Sequence, residues 1–254
     1  MSSPIPSRLT GKRAVITGAS SGLGLEMARR FIAEGAEVLI TGTSQEKVDR
    51  AVADLGPAAT GQVTEVRNLA DLDALADAAK ARWGAIDILV ANAGVGTFGP
   101  FDQIAEEAFD WQFDINVKGA LFTVQKLAAL LGEGGSVILT GSAVNAKGLG
   151  DGVVYFATKA AIRSLARSLS HALAPRGIRV NALSPGLVMT GFQERSGNAA
   201  EDLDAFGQLV VGMAPMARLG EQGEIASAAA FLASSDASYM TGADLVVDGG
   251  FMAV

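Results

Sequence analysis

The stretch Ala14-Val15-Ile16-Thr17-Gly18-Ala19-Ser20-Ser21-Gly22-Leu23-Gly24 decides the fold. Ala14 to Thr17 is a short apolar run of strand type that stops at a glycine-rich turn, and Leu23 to Glu34 then follows a helical period. Glycine meets three needs in such a turn. It closes the bend, lets backbone approach a ligand closely, and lets the helix pack tightly on the strand. The start of the helix adds unpaired N–H groups and a partial positive charge, which favour an anionic diphosphate. Gly18, Ser20, Ser21, Gly22, Leu23 and Gly24 are therefore read as contacts of a dinucleotide. A lone glycine turn is a weak signal, and its place after the first strand of an alternating chain gives it weight.

Outward from this turn the alternation continues. Glu37 to Thr41 reads as a second buried strand and Gln45 to Leu55 as a polar helix. Five further strands are expected at Val63–Arg67, Ile86–Ala91, Ser136–Thr140, Arg179–Leu183 and Ala243–Val247, with helices at 71–82, 105–131, 153–174 and 221–233. Runs such as Ile86 to Ala91 are mostly continuous, which suits strands covered on both faces. The pattern predicts right-handed crossovers and an α/β, doubly wound, Rossmann-like parallel sheet. Residues 1–10, with Pro4 and Pro6, read as a flexible lead-in, and 11–254 as a single dinucleotide-binding catalytic domain. The long irregular stretch at 185–215 is expected to cover the substrate.

Composition narrows the function. The 254 residues are 49% hydrophobic and 19% charged, enough apolar surface for a sizeable core. A net charge of −7 argues against a nucleic-acid backbone as partner. No apolar run reaches the roughly 18 residues of a membrane span, and the start lacks the apolar segment of a secretory signal. The expectation is a cytoplasmic protein. With no cysteine and one histidine, His171, no metal site of the usual tetrahedral kind is expected; His171 reads as a packing or subunit-interface residue.

The end of the second strand is where a dinucleotide fold reads the adenosine ribose. Leu39-Ile40-Thr41-Gly42-Thr43-Ser44 has no carboxylate there to grip both ribose hydroxyls. Gly42 makes room, and Thr43 and Ser44 offer hydroxyls, so NADP is expected, with NAD as the alternative. No Arg or Lys is evident in the glycine turn, where Ser21 occupies the natural place for one. Tyr155 and Lys159 are four apart on an expected helix and share one face. A free phenol titrates near 10, and a neighbouring ammonium favours the phenolate, so Lys159 is expected to lower the pKa of Tyr155. Ser142 follows the strand before that helix, at the carboxyl edge of the sheet where ligands bind.

These motifs in this order resemble the short-chain dehydrogenase/reductase family, over about Gly11 to Phe251. The likeness rests on TGASSGLG at 17–24, Asn92-Ala93-Gly94, Asn116, Ser142, Tyr155-Phe156-Ala157-Thr158-Lys159, and Pro185-Gly186 with Thr190. The resemblance implies a seven-stranded parallel sheet, a homotetramer, and an oxidoreductase that moves a hydride between NADP(H) and a ketone or secondary alcohol. In it Tyr155 is the general acid or base. Lys159 tunes it and holds the nicotinamide ribose, Ser142 orients the substrate oxygen, and Asn116 supports a water-linked proton relay. Asn92, Ala93 and Gly94 would line the cofactor, Asn68 with Leu69 would face the adenine, and Pro185, Gly186, Val188 and Thr190 would meet the nicotinamide.

Substrate walls are expected from Val144, Leu149, Val153, Leu187, Phe192, Phe206, Leu209 and Met213, an apolar supply that suits an uncharged ketone or secondary alcohol. Two other readings stand beside this one: a catalytically silent NAD(P)-binding sensor on the same fold, and a carrier-linked 3-oxoacyl reductase. The second would need a basic docking patch, and Arg176, Arg179, Arg195 and Arg218 are scattered along the chain.

Overall fold

The computed structural model describes residues 7–148, 150–190, 207–209 and 211–253. Its centre is one sheet of β1 (Arg13–Ile16), β2 (Glu37–Gly42), β3 (Ala59–Val63), β4 (Ile86–Ala91), β5 (Leu131–Thr140), β6 (Arg179–Pro185) and β7 (Asp244–Val247). They stand in the order β3-β2-β1-β4-β5-β6-β7, and every neighbouring pair is parallel. The order reverses between β1 and β4, so a crevice opens at their carboxyl ends.

The alternation of side chains along each strand divides the core in two. Ala14, Ile16, Val38 and Ile40 face α1 (Gly22–Ala33) and α7 (Gln222–Ala233), packing on Met27, Phe31, Ile225 and Ala229. Ala51 of α2 (Gln45–Leu55) joins that cluster. Val15, Leu39, Leu89, Val137 and Leu139 face the other way. They meet Leu72 and Leu75 of α3 (Leu69–Trp83), Leu127 of α5 (Ala120–Leu127) and Ile162 of α6 (Val153–Leu173). Each Val, Leu, Ile, Met or Phe side chain among them, fully buried, is worth about 1.5–3 kcal/mol. The two clusters fix the strand tips that carry the site.

Three sequence expectations need correction. Residues 7–10 belong to the folded body rather than to a flexible lead-in. Leu9 is fully buried, its N–H bonds Glu34 O, and Arg8 pairs with the buried Glu34 carboxylate at 2.7 Å. The third strand is Ala59–Val63, not Val63–Arg67. As an edge strand it has a neighbour on one side only, and of its residues only Ala59 is buried, so it forms no continuous apolar run.

The expected helix over 105–131 is broken. α4 (Glu106–Phe113) passes into a π-helical turn at Asp114–Gly119 before α5, and β5 already begins at Leu131. Such turns recur at functional sites.

Candidate active site

At the carboxyl edge the β1–α1 turn is shaped by three glycines with different tasks. Gly18 has φ +64°, and a Cβ there would lie 2.7 Å from Ala93 Cα, so the turn can lie against the end of β4 only without a side chain. Gly24 faces the Asn92 amide, where a Cβ would stand 2.6 Å from Nδ2. Gly22, with φ +58°, opens the helix toward Thr190. Asn92 fastens this corner. Its Nδ2 donates to Thr17 O at 3.0 Å and Gly18 O at 3.2 Å, and its Oδ1 accepts from Thr140 Oγ1 at 3.3 Å.

The crevice is a cavity of about 1030 Å³. It is lined at one end by the turn, Gly42, Thr43, Ser44 and Lys47, and at the other by Ser142, Tyr155 and Lys159. Nearly all the expected contacts line it: Gly18, Ser20, Ser21, Gly22, Leu23, Gly24, Ala93, Gly94, Pro185, Gly186, Leu187, Val188, Thr190 and Val144. Leu209 lines it as well. Leu149, Phe192, Phe206 and Arg195 lie outside the described residues, as do 191–206 as a whole.

Asn68 and Leu69 do not line the cavity. Asn68 is exposed and spends its amide oxygen capping α3, accepting from Ala70 N at 3.0 Å. The wall beyond β3 consists instead of Thr64, Glu65 and Val66. Val153 is exposed, and Met213 packs on the cluster of Ala143, Ala214 and Phe251 rather than lining the cavity. Residues the sequence reading passed over also contribute walls: Lys47, Phe98, Trp111, Ile115, Phe156 and Phe251.

At the far end Tyr155 is half-buried, hydrogen-bonded to Ser142, with the Phe98 ring 5.4 Å away. Lys159 is 5% exposed; its Nζ donates to Thr140 O at 3.0 Å and stands 5.5 Å from the Tyr155 ring centroid. Burial pushes the Tyr155 phenol up to about 12, against the opposing hydrogen bond from Ser142, and pushes the Lys159 ammonium down to about 8. The expected lowering of the tyrosine by the lysine is therefore reversed. Desolvation disfavours the charged form of each group.

Asn116, buried in the π turn, bridges elements rather than entering the cavity. Its Oδ1 accepts from Val95 N at 2.8 Å, and its Nδ2 donates to Val95 O at 2.8 Å and Thr158 Oγ1 at 3.0 Å. Gly94 sits where this network meets the lysine: a Cβ there would stand 3.4 Å from Asn116 Oδ1 and 3.5 Å from Lys159 Nζ.

These features fit a dinucleotide. The glycines leave bare backbone along one wall, and Gly94 forms a notch that a methyl group would fill. Beyond β3 the cavity wall includes Thr64, whose buried hydroxyl has no hydrogen-bond partner among the described residues. No group of three or more potential metal ligands occurs among the described residues.

Relatives of known kind share this plan. Residues 18–252 match the family model described as enoyl-(acyl carrier protein) reductase. The chain is 47% identical over 248 residues to "Oxidoreductase asL5" of Sarocladium schorii, covering 96% of each chain. It belongs to the short-chain dehydrogenase/reductase family. This is an oxidoreductase family that binds a nicotinamide cofactor. A galactitol 2-dehydrogenase of Agrobacterium fabrum is 36% identical over 258 residues, with 96% of this chain and 98% of that one covered. The crystal structure of a 3-ketoacyl-(acyl-carrier-protein) reductase from Brucella melitensis complexed with NADH superposes with a TM-score of 0.88 at 33% identity, covering 96% and 99% of the chains. Among the described residues, no helix of this family member is long and apolar enough to cross a membrane.

Proposed function

We propose that the protein is an NADP(H)-dependent oxidoreductase that interconverts an uncharged ketone and its secondary alcohol, with Tyr155 as general acid and base. One observation carries the reading. The glycine turn and the hydrogen-bonded Ser142–Tyr155 pair open onto the same cavity, with Lys159 buried beside the tyrosine.

The cofactor, when bound, supplies or accepts the hydride. The Ser142 and Tyr155 hydroxyls hold the substrate oxygen between them. Tyr155, raised by burial, keeps its proton at neutral pH and gives it to the oxygen during reduction. Lys159, anchored on Thr140 O, places its positive charge beside the phenol and favours the phenolate as it forms. Asn116 holds the backbone of Val95 beside Lys159 and supports the path along which water returns a proton.

NADP rather than NAD is supported by the second strand's tip, where Gly42, Thr43 and Ser44 line the cavity without a carboxylate. Lys47, in the first turn of α2, supplies the cation that the glycine turn lacks. Paired kinetics with NADPH and NADH test this. The expected result is a higher kcat/KM with NADPH, and a large preference for NADH rejects the assignment.

The apolar walls favour an uncharged substrate, since Phe98, Trp111, Val144, Phe156, Leu187 and Phe251 surround the carbonyl end. A carrier-linked substrate is less well supported. Arg176 and Arg179 donate to backbone carbonyls within the fold, and Arg218 pairs with Glu224 at 2.6 Å. We place the enzyme in the cytoplasm as a homotetramer, on the pattern of its family; light scattering in solution checks the assembly.

A further inference from the structure

The chain after β7 is a built turn rather than a loose end. The Asp248 carboxylate accepts from Gly250 N at 2.9 Å and Met252 N at 2.8 Å, and Gly249 and Gly250 take left-handed φ values of +64° and +90°. The turn presents Phe251, which is 3% exposed, packs on Ala143 next to Ser142, and lines the cavity. Lys147 reaches this turn from the end of the 3-10 helix that Ser142 opens. Its Nζ donates to Phe251 O at 2.9 Å and stands 4.1 Å over the Phe251 ring. The one ammonium thus engages both the backbone and the ring of the residue that forms the wall.

We infer that Lys147 latches the C-terminal turn so that Phe251 closes the carbonyl end of the cavity and limits the length of substrate accepted. Lys147 is a positioning residue, and Phe251 determines specificity. The latch also engages the lysine's charge away from the cavity, which Lys147 does not line. The substrate half of this inference rests on the ketone–alcohol reading above, whereas the latch stands on the contacts alone.

The test has two arms. In the first, hydrogen exchange is followed by mass spectrometry in the peptide covering 248–253. Removing a hydrogen bond and a cation–π contact is expected to speed exchange there about tenfold in Lys147→Met, while Lys147→Arg stays close to wild type. Equal exchange in wild type and Lys147→Met overturns the latch. In the second arm, kcat/KM is measured with NADPH for straight-chain methyl ketones of increasing length. Phe251→Ala is expected to raise the ratio of long to short ketone kcat/KM about tenfold or more, the worth of a methylene or two of new room. An unchanged ratio overturns the wall. If the wild-type enzyme reduces no ketone in the series, the ketone–alcohol reading fails and the size limit with it, while the exchange arm still judges the latch.

Discussion

Two glycines of the site separate folding from binding. At Gly94 the backbone is not left-handed, and an added Cβ would meet Asn116 Oδ1 and Lys159 Nζ at 3.4 and 3.5 Å, close to ordinary contact distance. Gly94→Ala is then tolerated by the fold. It restricts the unfolded chain and is expected to stabilise by about 0.4–1 kcal/mol. The new methyl occupies the notch beside Lys159, however, and overpacking the bound dinucleotide by one methyl costs about 1–3 kcal/mol, or roughly five- to a hundredfold in Kd. Gly18→Ala reverses the balance. Its φ of +64° costs an alanine about 1–2 kcal/mol, and the Cβ would press to 2.7 Å on Ala93 Cα, for a total near 3 kcal/mol and a Tm lower by roughly 5–15 °C. Thermal melts and NADPH fluorescence titrations on both variants read the two quantities separately. If Gly94→Ala binds NADPH as tightly as wild type does, the dinucleotide does not pass over Gly94 and the site as drawn is wrong.

Tyr155→Phe keeps the ring packed against Phe98 and removes the hydroxyl, so turnover is expected to fall by at least about 10²-fold; unchanged turnover removes Tyr155 as the acid. Because burial raises the phenol to about 12, the proton donor for reduction is fully present at neutral pH, and ketone reduction should change little between about pH 6 and 8. Alcohol oxidation needs the phenolate and should rise with pH over the same range. An oxidation rate that falls as pH rises contradicts the assignment.

How much of this could be read from the residues varied with burial. α2 at Gln45–Leu55 and β4 at Ile86–Ala91 fall where expected, because β4 is a nearly continuous apolar run interrupted only by Asp87 and Ser44 caps α2 by accepting from Lys47 N. β3 lies about four residues before its expected place, since Ala59 is its one buried residue and the strand carries no continuous apolar signal. The adenine-facing places of Asn68 and Leu69 rest on the resemblance, whereas Thr64, Glu65 and Val66 line the cavity beyond β3. Phe98, Trp111 and Phe251 gave no warning because the walls they share join segments far apart in sequence. The direction of the Tyr155 shift was also out of reach. A four-residue spacing reveals the neighbouring cation but not the burial that raises the phenol against its hydrogen bond with Ser142.

The π turn at Asp114–Gly119 works as a phase adjuster. On a regular helix each residue advances the face by about 100°, so one residue more or fewer rotates everything beyond it by that angle. With the wider turn in place, Gln112 of α4 can bond Thr97 while Val124 and Leu127 of α5 keep their faces on the sheet. Wound as one regular helix, the same residues would turn Trp111 by about 100° relative to α5 and off the cavity wall. In this segment the number of residues matters as much as their identity.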